Sequence, residues 1–401
     1  MPDAAETRLL THVRNLPPAA WALLLGTFLN RFGGFVVPFL VLYAAHRGFT
    51  PAAAGLALSL YGIGGTAAVM IGGQVADVFG RRNTIAVSMF SSATAMALLS
   101  RADTVASVLA LAALAGFAAE LYRPASAALV ADLTPAGERV TAFALYRLAI
   151  NAGVAAGPAV AGFLAERSFT LLFLGDAATS VLFGIVALVA FPRARPVASE
   201  VSDAGAVLKR MAADASFLRL LVATALAALC VMQAMSSLAL HVRALGHPTH
   251  VYGWLMSLNG ILIIAFELAI VAVTRRLPHR PVLAVGLLLS GVGIAATGLA
   301  SSIPALALTI VIWTLGEMIY SPVAAAHVAD LAPADMRARY QAATSLMWGL
   351  GMIVGPTVGT RIYGTNPTLL WTACAVLGVL AAGLVMWPSR RAESEIVAAV
   401  E

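Results

Sequence analysis

Four ionisable residues lie inside long apolar runs of the chain, where a charge is expensive. On insertion scales, a charge at the centre of a membrane helix costs about 2.5–3.5 kcal/mol, and such residues usually have a function. The sequence therefore marks these four side chains as the first candidates for a functional site. They are Arg31, Glu120, Arg123 and Glu317.

The two acids among them are candidates for proton exchange. Glu120 or Glu317 is predicted to take up and release a proton as its surroundings change. Arg31 or Arg123 would then pair with the deprotonated acid, or with an anionic group of a substrate. An alternative stays open: Glu120 and Arg123, three residues apart on one helix face, form a permanent ion pair that only positions helices.

Three further charged residues inside apolar runs are secondary candidates. Arg147 shares a helix face with Asn151, which favours an anchoring role. Asp176 lies near the end of its run and is expected to cap a helix or to pair there. Glu267 is either an acid of an inner cavity or a partner of the arginines that follow it.

Motifs for enzymatic or metal chemistry are missing from the sequence. Lys209, the only lysine, is followed by Arg210 and belongs to no Gly-Lys-Ser/Thr phosphate loop, and none of the seven histidines begins a His-Glu-x-x-His metal motif. No basic patch interleaved with aromatic residues points to nucleic acid. We therefore expect no catalytic residue, metal, cofactor or nucleic-acid partner, and a proton gradient as the energy source.

The composition is that of a membrane protein. Of 401 residues, 60% are hydrophobic and 11% are charged, against about 25% charged in soluble domains. Runs of about 20 apolar residues, each long enough to span a bilayer, predict an all-α integral membrane protein with twelve spans. Their limits are 19–45, 52–76, 84–100, 106–130, 140–165, 171–191, 217–240, 252–273, 282–299, 306–329, 340–363 and 367–387.

An internal repeat organises these spans. The pattern Asp-Leu-x-Pro-x-x-x-Arg occurs at 132–139 and again 198 residues later at 330–337, and Gly-x-x-x-Gly-Pro occurs at 153–158 and 351–356 in the same register. Two parallel six-helix repeats are one way in which secondary transporters are built, with the substrate site between the halves. The predicted domains are a bundle at 1–191, a cytoplasmic linker at 192–216 and a second bundle at 217–401.

The basic residues predict the orientation, because cytoplasmic loops collect Lys and Arg. With the N-terminus inside, 17 of the 25 basic residues fall in inside segments, five fall in outside loops and three fall within spans. Both termini are therefore predicted to be cytoplasmic, in a multi-pass protein of the inner membrane.

The loop after the second predicted span resembles the signature loop of the major facilitator superfamily. It contains a glycine, an aspartate four residues later, then a glycine and two basic residues, with Val78 where the family usually has a basic residue. The resemblance implies a latch that closes the cytoplasmic side; the alternative is a basic turn that only fixes orientation. The predicted gating residues are Gly73, Asp77, Gly80, Arg81, Arg82, Asp132 and Arg139.

A stretch in the fifth predicted span resembles the drug:proton antiporter branch of that superfamily. Gly153, Gly157, Pro158 and Gly162 put small residues on one helix face. They are either a mark of antiport or simple close packing, since the glycines recur in the eleventh span. In the superfamily, the first, fourth, seventh and tenth spans line the cavity. The predicted cavity residues are thus Asn30, Arg31, Glu120, Arg123, Gln233 and Glu317.

The resemblance and the buried charges together predict a secondary transporter that works by rocker-switch alternating access. The favoured function is proton-coupled export of hydrophobic or amphipathic small molecules. The alternatives are a symporter or uniporter for one metabolite, and a membrane scaffold or receptor that transports nothing. The expected partners are a small-molecule substrate, protons and membrane lipid, and the expected working unit is a monomer.

Overall fold

The computed structural model describes residues 16–135, 138–193, 211–333 and 336–387, and within these ranges the chain is built from α-helices. Fifteen helices and one 3₁₀ turn, at Thr297–Leu299, have both ends within these ranges. The helices are α1 Pro18–Phe32, α2 Val36–His46, α3 Pro51–Phe79, α4 Arg81–Leu99, α5 Val105–Glu120, α6 Tyr122–Leu133, α7 Arg139–Arg167, α8 Phe169–Ala190, α9 Ala215–Met235, α10 Ser237–Ala244, α11 Thr249–Thr274, α12 His279–Ala296, α13 Ile303–Leu331, α14 Arg337–Thr365 and α15 Pro367–Met386.

Most of these helices are suited to a bilayer. In the described part of the chain, 11 helical segments are long and apolar enough to cross a membrane, and three of them join two consecutive helices: α1 with α2, α5 with α6, and α9 with α10. The predicted all-α membrane fold is confirmed. The count of twelve spans stays a prediction, because α4, which occupies the third predicted span, is not among the 11.

The polar side chains of α4 explain why this helix is not among the 11 segments that are apolar enough to cross a membrane. The helix starts with two arginines and an asparagine and carries several serines and threonines. One of its buried polar groups is satisfied by a neighbouring helix: the Ser88 hydroxyl donates to the carbonyl of Ala118 on α5. Ile85 and Met89 are fully buried beside it. A helix face that packs its polar groups against neighbouring helices needs less apolar surface than a face in contact with lipid.

The chain divides into two compact units. Unit 1 comprises Met1–Glu200 and Val242–Ile261, and unit 2 comprises Val201–His241 and Leu262–Glu401. The predicted boundaries at 191 and 217 stay predictions, and residues 194–210 of the predicted linker lie outside the described residues. So do residues 1–15 and 388–401, which include both termini.

The core of unit 1 is formed by aromatic and aliphatic side chains from α1, α4, α6 and α8. Leu23, Met89, Tyr122 and Phe183 belong to one buried cluster. The Tyr122 and Phe183 rings meet edge to face with centroids 5.7 Å apart, a geometry that aromatic pairs favour. This cluster holds the start of α6 against α8, and thus positions the residues just before and after Tyr122.

Unit 2 has a corresponding core. Phe217 at the start of α9 packs on Tyr340 at the start of α14, with ring centroids 4.1 Å apart. Asp214 caps α9 by accepting from the backbone N–H groups of Ser216 and Phe217, at 3.1 and 3.0 Å. The cap and the aromatic pair fix where α9 begins.

Candidate functional site

Three of the four predicted intramembrane charges meet in unit 1. Arg31 Nη1 lies 3.3 Å from Glu120 Oε1, and Arg123 Nη1 lies 2.9 Å from Glu120 Oε2. One carboxylate thus holds two guanidinium groups, one on each oxygen. The Glu120 and Arg31 side chains are 17% and 20% exposed, whereas Arg123 is 53% exposed. The cluster carries one net positive charge, and its accessible cation is Arg123.

The charged side chains of this cluster lie where helices are interrupted. Arg31 lies one residue before the end of α1, and Glu120 is the last residue of α5. Pro124 explains the second break, because its ring clashes with the carbonyl of Glu120 four residues earlier and it has no N–H to donate there. Charged groups at interrupted membrane helices recur in transporters, where the free ends of the helices face substrate and ions.

Aromatic rings and glycines enclose the inner part of the cluster. The Arg31 guanidinium lies over the ring of the fully buried Tyr122, 5.6 Å from its centroid, a cation–π arrangement. A Cβ built on Gly65 of α3 would lie 3.1 Å from Glu120 Cγ. Glycine at position 65 therefore leaves room for the acid beside α3.

The predicted glycine motif of α7 borders the same cluster. A Cβ on Gly153 would lie 2.7 Å from both Arg31 Cβ and the backbone nitrogen of Phe32, and one on Gly157 would lie 2.6 Å from the Phe32 carbonyl oxygen. These two glycines let α7 approach the end of α1 closely. The motif and the buried arginine, predicted separately from the sequence, are thus neighbours.

The far end of that motif faces a different helix. A Cβ on Gly162 would lie 2.8 Å from His250 Cα on α11. The Ala159 N–H, next to Pro158, donates to Ser257 Oγ of α11 at 2.9 Å. His250 Nδ1 lies 2.6 Å from Glu166 Oε2, and the His250 ring stacks on Phe163. The sequence offered no local signal for this contact between α7 and α11.

The two uncharged residues predicted to line the cavity, Asn30 and Gln233, form hydrogen bonds with groups outside the charged cluster. Asn30 donates to the Met89 sulfur at 3.3 Å. Gln233 is 4% exposed, donates to the Leu229 and Gly355 carbonyls at 2.9 and 3.1 Å, and accepts from the Ser237 hydroxyl at 2.8 Å. In this structure Gln233 joins α9, α10 and α14 next to the break at Ser236.

Glu317, the fourth predicted charge, lies in unit 2. It is half-buried in α13, an unbroken helix. A Cβ on the preceding Gly316 would lie 2.5 Å from Ser290 Oγ, so α13 runs close to α12 at this level. The structure therefore brings Arg31, Glu120 and Arg123 together, and places Glu317 in the other unit.

The predicted gating loop forms a turn and two basic anchors. Gly80 joins α3 to α4 with φ 81°, a left-handed conformation that favours glycine. Arg81 forms an ion pair with Asp132 and donates to the Ala128 carbonyl at 3.2 Å. Arg82 donates to the carbonyl of Leu188 on α8.

The rest of the loop has fewer contacts. Asp77 is half-buried near the end of α3, and Arg139 is exposed at the start of α7. A Cβ on Gly73 would meet nothing within 4 Å among the described residues. Gly73 therefore makes no close helix contact among the described residues.

Asp176 fills the break between α1 and α2. Its side chain is buried, and its Oδ2 accepts from the Val36 N–H, the first of α2, at 3.3 Å. A carboxylate at a helix N-terminus is stabilised by the partial positive charge there. Of the other secondary candidates, Arg147 is exposed on α7 and Glu267 is half-buried on α11.

The fold and the site define the class of the protein: a multi-pass helical membrane protein with ionised groups at the breaks of its spans. The model of the Major Facilitator Superfamily matches residues 23–249 and 220–401. Since these matches cover most of the sequence, the chain belongs to the Major Facilitator Superfamily. It is a transporter and not an enzyme, as its relatives are.

Several relatives match over most of their length. The uncharacterized MFS-type transporter YqjV of Bacillus subtilis is 27% identical over 355 residues, which is 86% of each chain. A Na(+), Li(+), K(+)/H(+) antiporter of Planococcus maritimus is 27% identical over 82% of this chain and 85% of its own. The multidrug resistance protein MdtH of Aeromonas hydrophila is 27% identical over 90% of this chain and 92% of its own.

Solved transporters share the fold. A crystal structure of the nucleoside transporter NupG matches with a TM-score of 0.80, at 16% identity, over 92% of this chain and 99% of that one. A peptide transporter POT in complex with sulfate matches with a TM-score of 0.75, at 20% identity, over 92% and 94% of the two chains. At these identities the likeness concerns the fold alone.

Proposed function

We propose that this transporter is a proton-coupled exporter of hydrophobic or amphipathic small molecules that works by alternating access. The observation that carries the proposal is the cluster of Arg31, Glu120 and Arg123 at two helix breaks. All three are charged and joined through one carboxylate, and Arg31 and Glu120 are largely enclosed by protein. Relatives that are named multidrug resistance proteins support the substrate class.

The chemistry of the cluster suits coupling. While Glu120 is deprotonated it neutralises one of the two arginines and orders both. Protonation of Glu120 would weaken both ion pairs and leave two guanidinium groups with no neutralising charge, so the two forms of the acid favour different arrangements of α1 and α5. A proton can shift an alternating-access equilibrium only through such a difference in interaction. Glu317 in unit 2 is the second candidate acid.

The rest of the proposal follows from the superfamily and the charge pattern. The protein acts in the inner membrane, with both termini in the cytoplasm, as a monomer driven by the proton gradient and without a bound cofactor. Asp77 and the turn at Gly80 belong to a latch that closes the cytoplasmic side. The ion pair between Arg81 and Asp132 supports this turn.

Transport by the purified protein in liposomes tests the function. We would impose a pH gradient and measure the flux of a panel of cationic dyes and drugs, with Glu120→Gln and Glu317→Gln as test variants. Glu138→Gln, which removes an acid outside the spans, is the control. We expect gradient-driven flux in the parent and the control, and loss of the response to the gradient in at least one test variant.

The opposite outcome is equally clear. Flux that persists without a gradient and is unchanged in both test variants would show that these acids do not couple protons.

A second candidate function, exchange of monovalent cations for protons, is suggested by the Planococcus maritimus relative. The same liposomes loaded with Na⁺ or K⁺ distinguish it, because proton movement would then require the cation and no organic substrate.

A further inference from the structure

Helices α7 and α11 meet backbone to backbone in unit 1, in a contact that we call the α7–α11 seam. A Cβ on Gly253 of α11 would lie 2.3 Å from the Pro158 carbonyl oxygen, and one on Gly260 would lie 2.5 Å from Ala155 Cα. Between these two glycines, Ser257 is 4% exposed and accepts a hydrogen bond from the backbone of α7. Small residues permit such a close approach of membrane helices. Solvent therefore reaches Ser257 only when the seam opens.

A titratable pair closes one end of the seam. His250 Nδ1 lies 2.6 Å from Glu166 Oε2, and their side chains are 21% and 44% exposed. The His250 ring stacks on Phe163, with centroids 5.3 Å apart and 8° between the planes, and its centroid lies 4.5 Å from that of Trp254. The imidazole is thus open to protons from water, and it contacts both a carboxylate and aromatic rings of the two helices.

The pair lies at the end of α7 that is remote from the Gly80 turn. Helix α7 begins on the side of that turn, since Arg139 shortly follows Asp132, the partner of Arg81. Its 29 residues extend over about 43 Å at 1.5 Å per residue, which is enough to cross a bilayer. Glu166, one residue before the end of α7, therefore lies at the opposite face of the membrane, the outer face in the proposed orientation.

The charge of His250 decides how strongly the two helix ends are joined. Histidine is the residue type whose charge changes between about pH 5 and 8. A protonated His250 forms an ion pair with the Glu166 carboxylate and gains cation–π attraction to Phe163 and Trp254. A neutral ring can donate at most one N–H to the carboxylate and gains no such attraction. A closed seam therefore binds this proton more tightly than an open one, and acid favours closure.

The other charged and titratable groups around His250 do not replace Glu166 in this role. Helix α2 packs on α11 through Phe39 and Tyr252, and Arg47 at its end is already paired with Asp103. Among the described residues, Glu166 is the one acid within ion-pair distance of His250. The remaining groups of these elements are Arg167 of α7, Arg243 and His247 before α11, and His46 of α2.

We propose that His250 and Glu166 form a pH-sensitive clasp: protonation of His250 holds the start of α11 against α7, and loss of the proton lets the seam open. Helix α11 belongs to unit 1 up to Ile261 and to unit 2 from Leu262, so the clasp acts on a helix that both units share. Uptake of a proton at this face shifts the equilibrium toward the closed seam, because the closed form binds that proton more tightly. The clasp is independent of the substrate and of Glu120.

Alkylation of a cysteine placed in the seam tests the clasp. Ser257→Cys is introduced into a chain whose two native cysteines are replaced by alanine. The purified full-length protein in detergent reacts with a maleimide at about pH 6 and about pH 8, where histidine is largely charged and largely neutral. The test variants are His250→Gln and Glu166→Gln, and the control is His46→Gln, an exposed histidine at the end of α2.

The rate of each variant is divided by that of the Ser257→Cys parent at the same pH, which cancels the pH dependence of the thiol. At pH 6 both test variants should react about threefold faster than the parent, because they lack a partly exposed ion pair. At pH 8 they should react like the parent, which has lost the charge as well. His46→Gln should match the parent at both pH values.

Three outcomes would overturn the proposal. Equal ratios above one at both pH values would mean that the contact packs the helices without titrating. Rates equal to the parent's at both pH values would mean that the pair does not hold the seam. A rise at pH 6 in His46→Gln as large as in the test variants would assign the effect to histidine loss in general. If His250→Gln does not purify as a folded protein, Glu166→Gln, which alters an exposed side chain, gives the same test without labelling of the other variant. No gradient and no substrate are used, so the result is separate from that of the transport assay.

Discussion

The carboxylate of Glu120 lies 3.3 Å from the guanidinium of Arg31, a residue 89 positions earlier in the chain. The pair joins the end of the first helix to the end of the fifth and lies largely out of solvent. A polar link of this kind between two helix ends is sensitive to the charge of either partner. Its energetics and its transport role can therefore be tested separately.

The first prediction concerns the stability of this pair. Glu120→Gln keeps the shape of the side chain and leaves two arginines without their shared anion. Because removing one partner of a buried ion pair destabilises by about 3–5 kcal/mol, we expect a clear fall in the melting temperature of the purified protein. Adding Arg31→Gln to Glu120→Gln should recover part of that loss. Additive effects of the two changes would contradict a direct interaction.

The second prediction concerns the glycines of α7. Gly153→Val should sharply reduce the yield of folded protein, because its Cβ would lie 2.7 Å from both Arg31 Cβ and the backbone nitrogen of Phe32. Gly73→Ala is the control, since a Cβ there meets nothing within 4 Å among the described residues. Size-exclusion profiles and thermal unfolding measure both. Equal tolerance at the two positions would argue against close packing at Gly153.

A third prediction tests the proposed latch. Asp77→Asn should slow the transport cycle severalfold while leaving substrate affinity nearly unchanged, because the latch acts on the change of facing and not on binding. If Gly73 makes a close helix contact in another conformation of the transport cycle, Gly73→Ala should slow the cycle as Asp77→Asn does. Turnover and substrate affinity in liposomes are the measurements. A large loss of affinity with normal turnover would reject the latch.

A fourth prediction separates structure from proton transfer at Asp176. Asp176→Asn keeps an oxygen that can accept from the Val36 N–H, whereas Asp176→Ala leaves that buried group with no acceptor there, at a cost of about 1–3 kcal/mol. We expect Asp176→Asn to retain most of the thermal stability and normal proton-driven flux, and Asp176→Ala to lose stability. Loss of proton coupling in a stable Asp176→Asn variant would instead make Asp176 a proton carrier.

Local spacing and the expense of buried charge were enough to find much of the candidate site. The separation of Glu120 and Arg123 predicted one helix face, and the structure joins them at 2.9 Å. Arg31 was only one of two expected partners for either acid, because no local pattern relates positions 89 residues apart and spacing could not select Glu120 for it. The free-energy cost of a charge in lipid indicated only that each of the charged residues needed a partner.

Helix continuity was harder to predict than helix existence. Apolar runs predicted a continuous first span, yet the chain breaks between Phe32 and Val36, and Asp176 from α8 satisfies the new helix start. Pro124 breaks the fourth span, whereas Pro322, its counterpart in the repeat, lies inside the unbroken α13. Equal sequence signals thus had unequal effects on the continuity of the two helices.

Unit 1 is assembled from two separate stretches of chain, and this has a consequence for biosynthesis. The segment Val242–Ile261, with the Ser257 hydroxyl that meets α7, leaves the ribosome well after Glu200. The first unit therefore stays incomplete while its early helices are already inserted in the bilayer. A fragment that stops at Glu200 would lack this segment, and co-expression with the remainder of the chain would have to restore it.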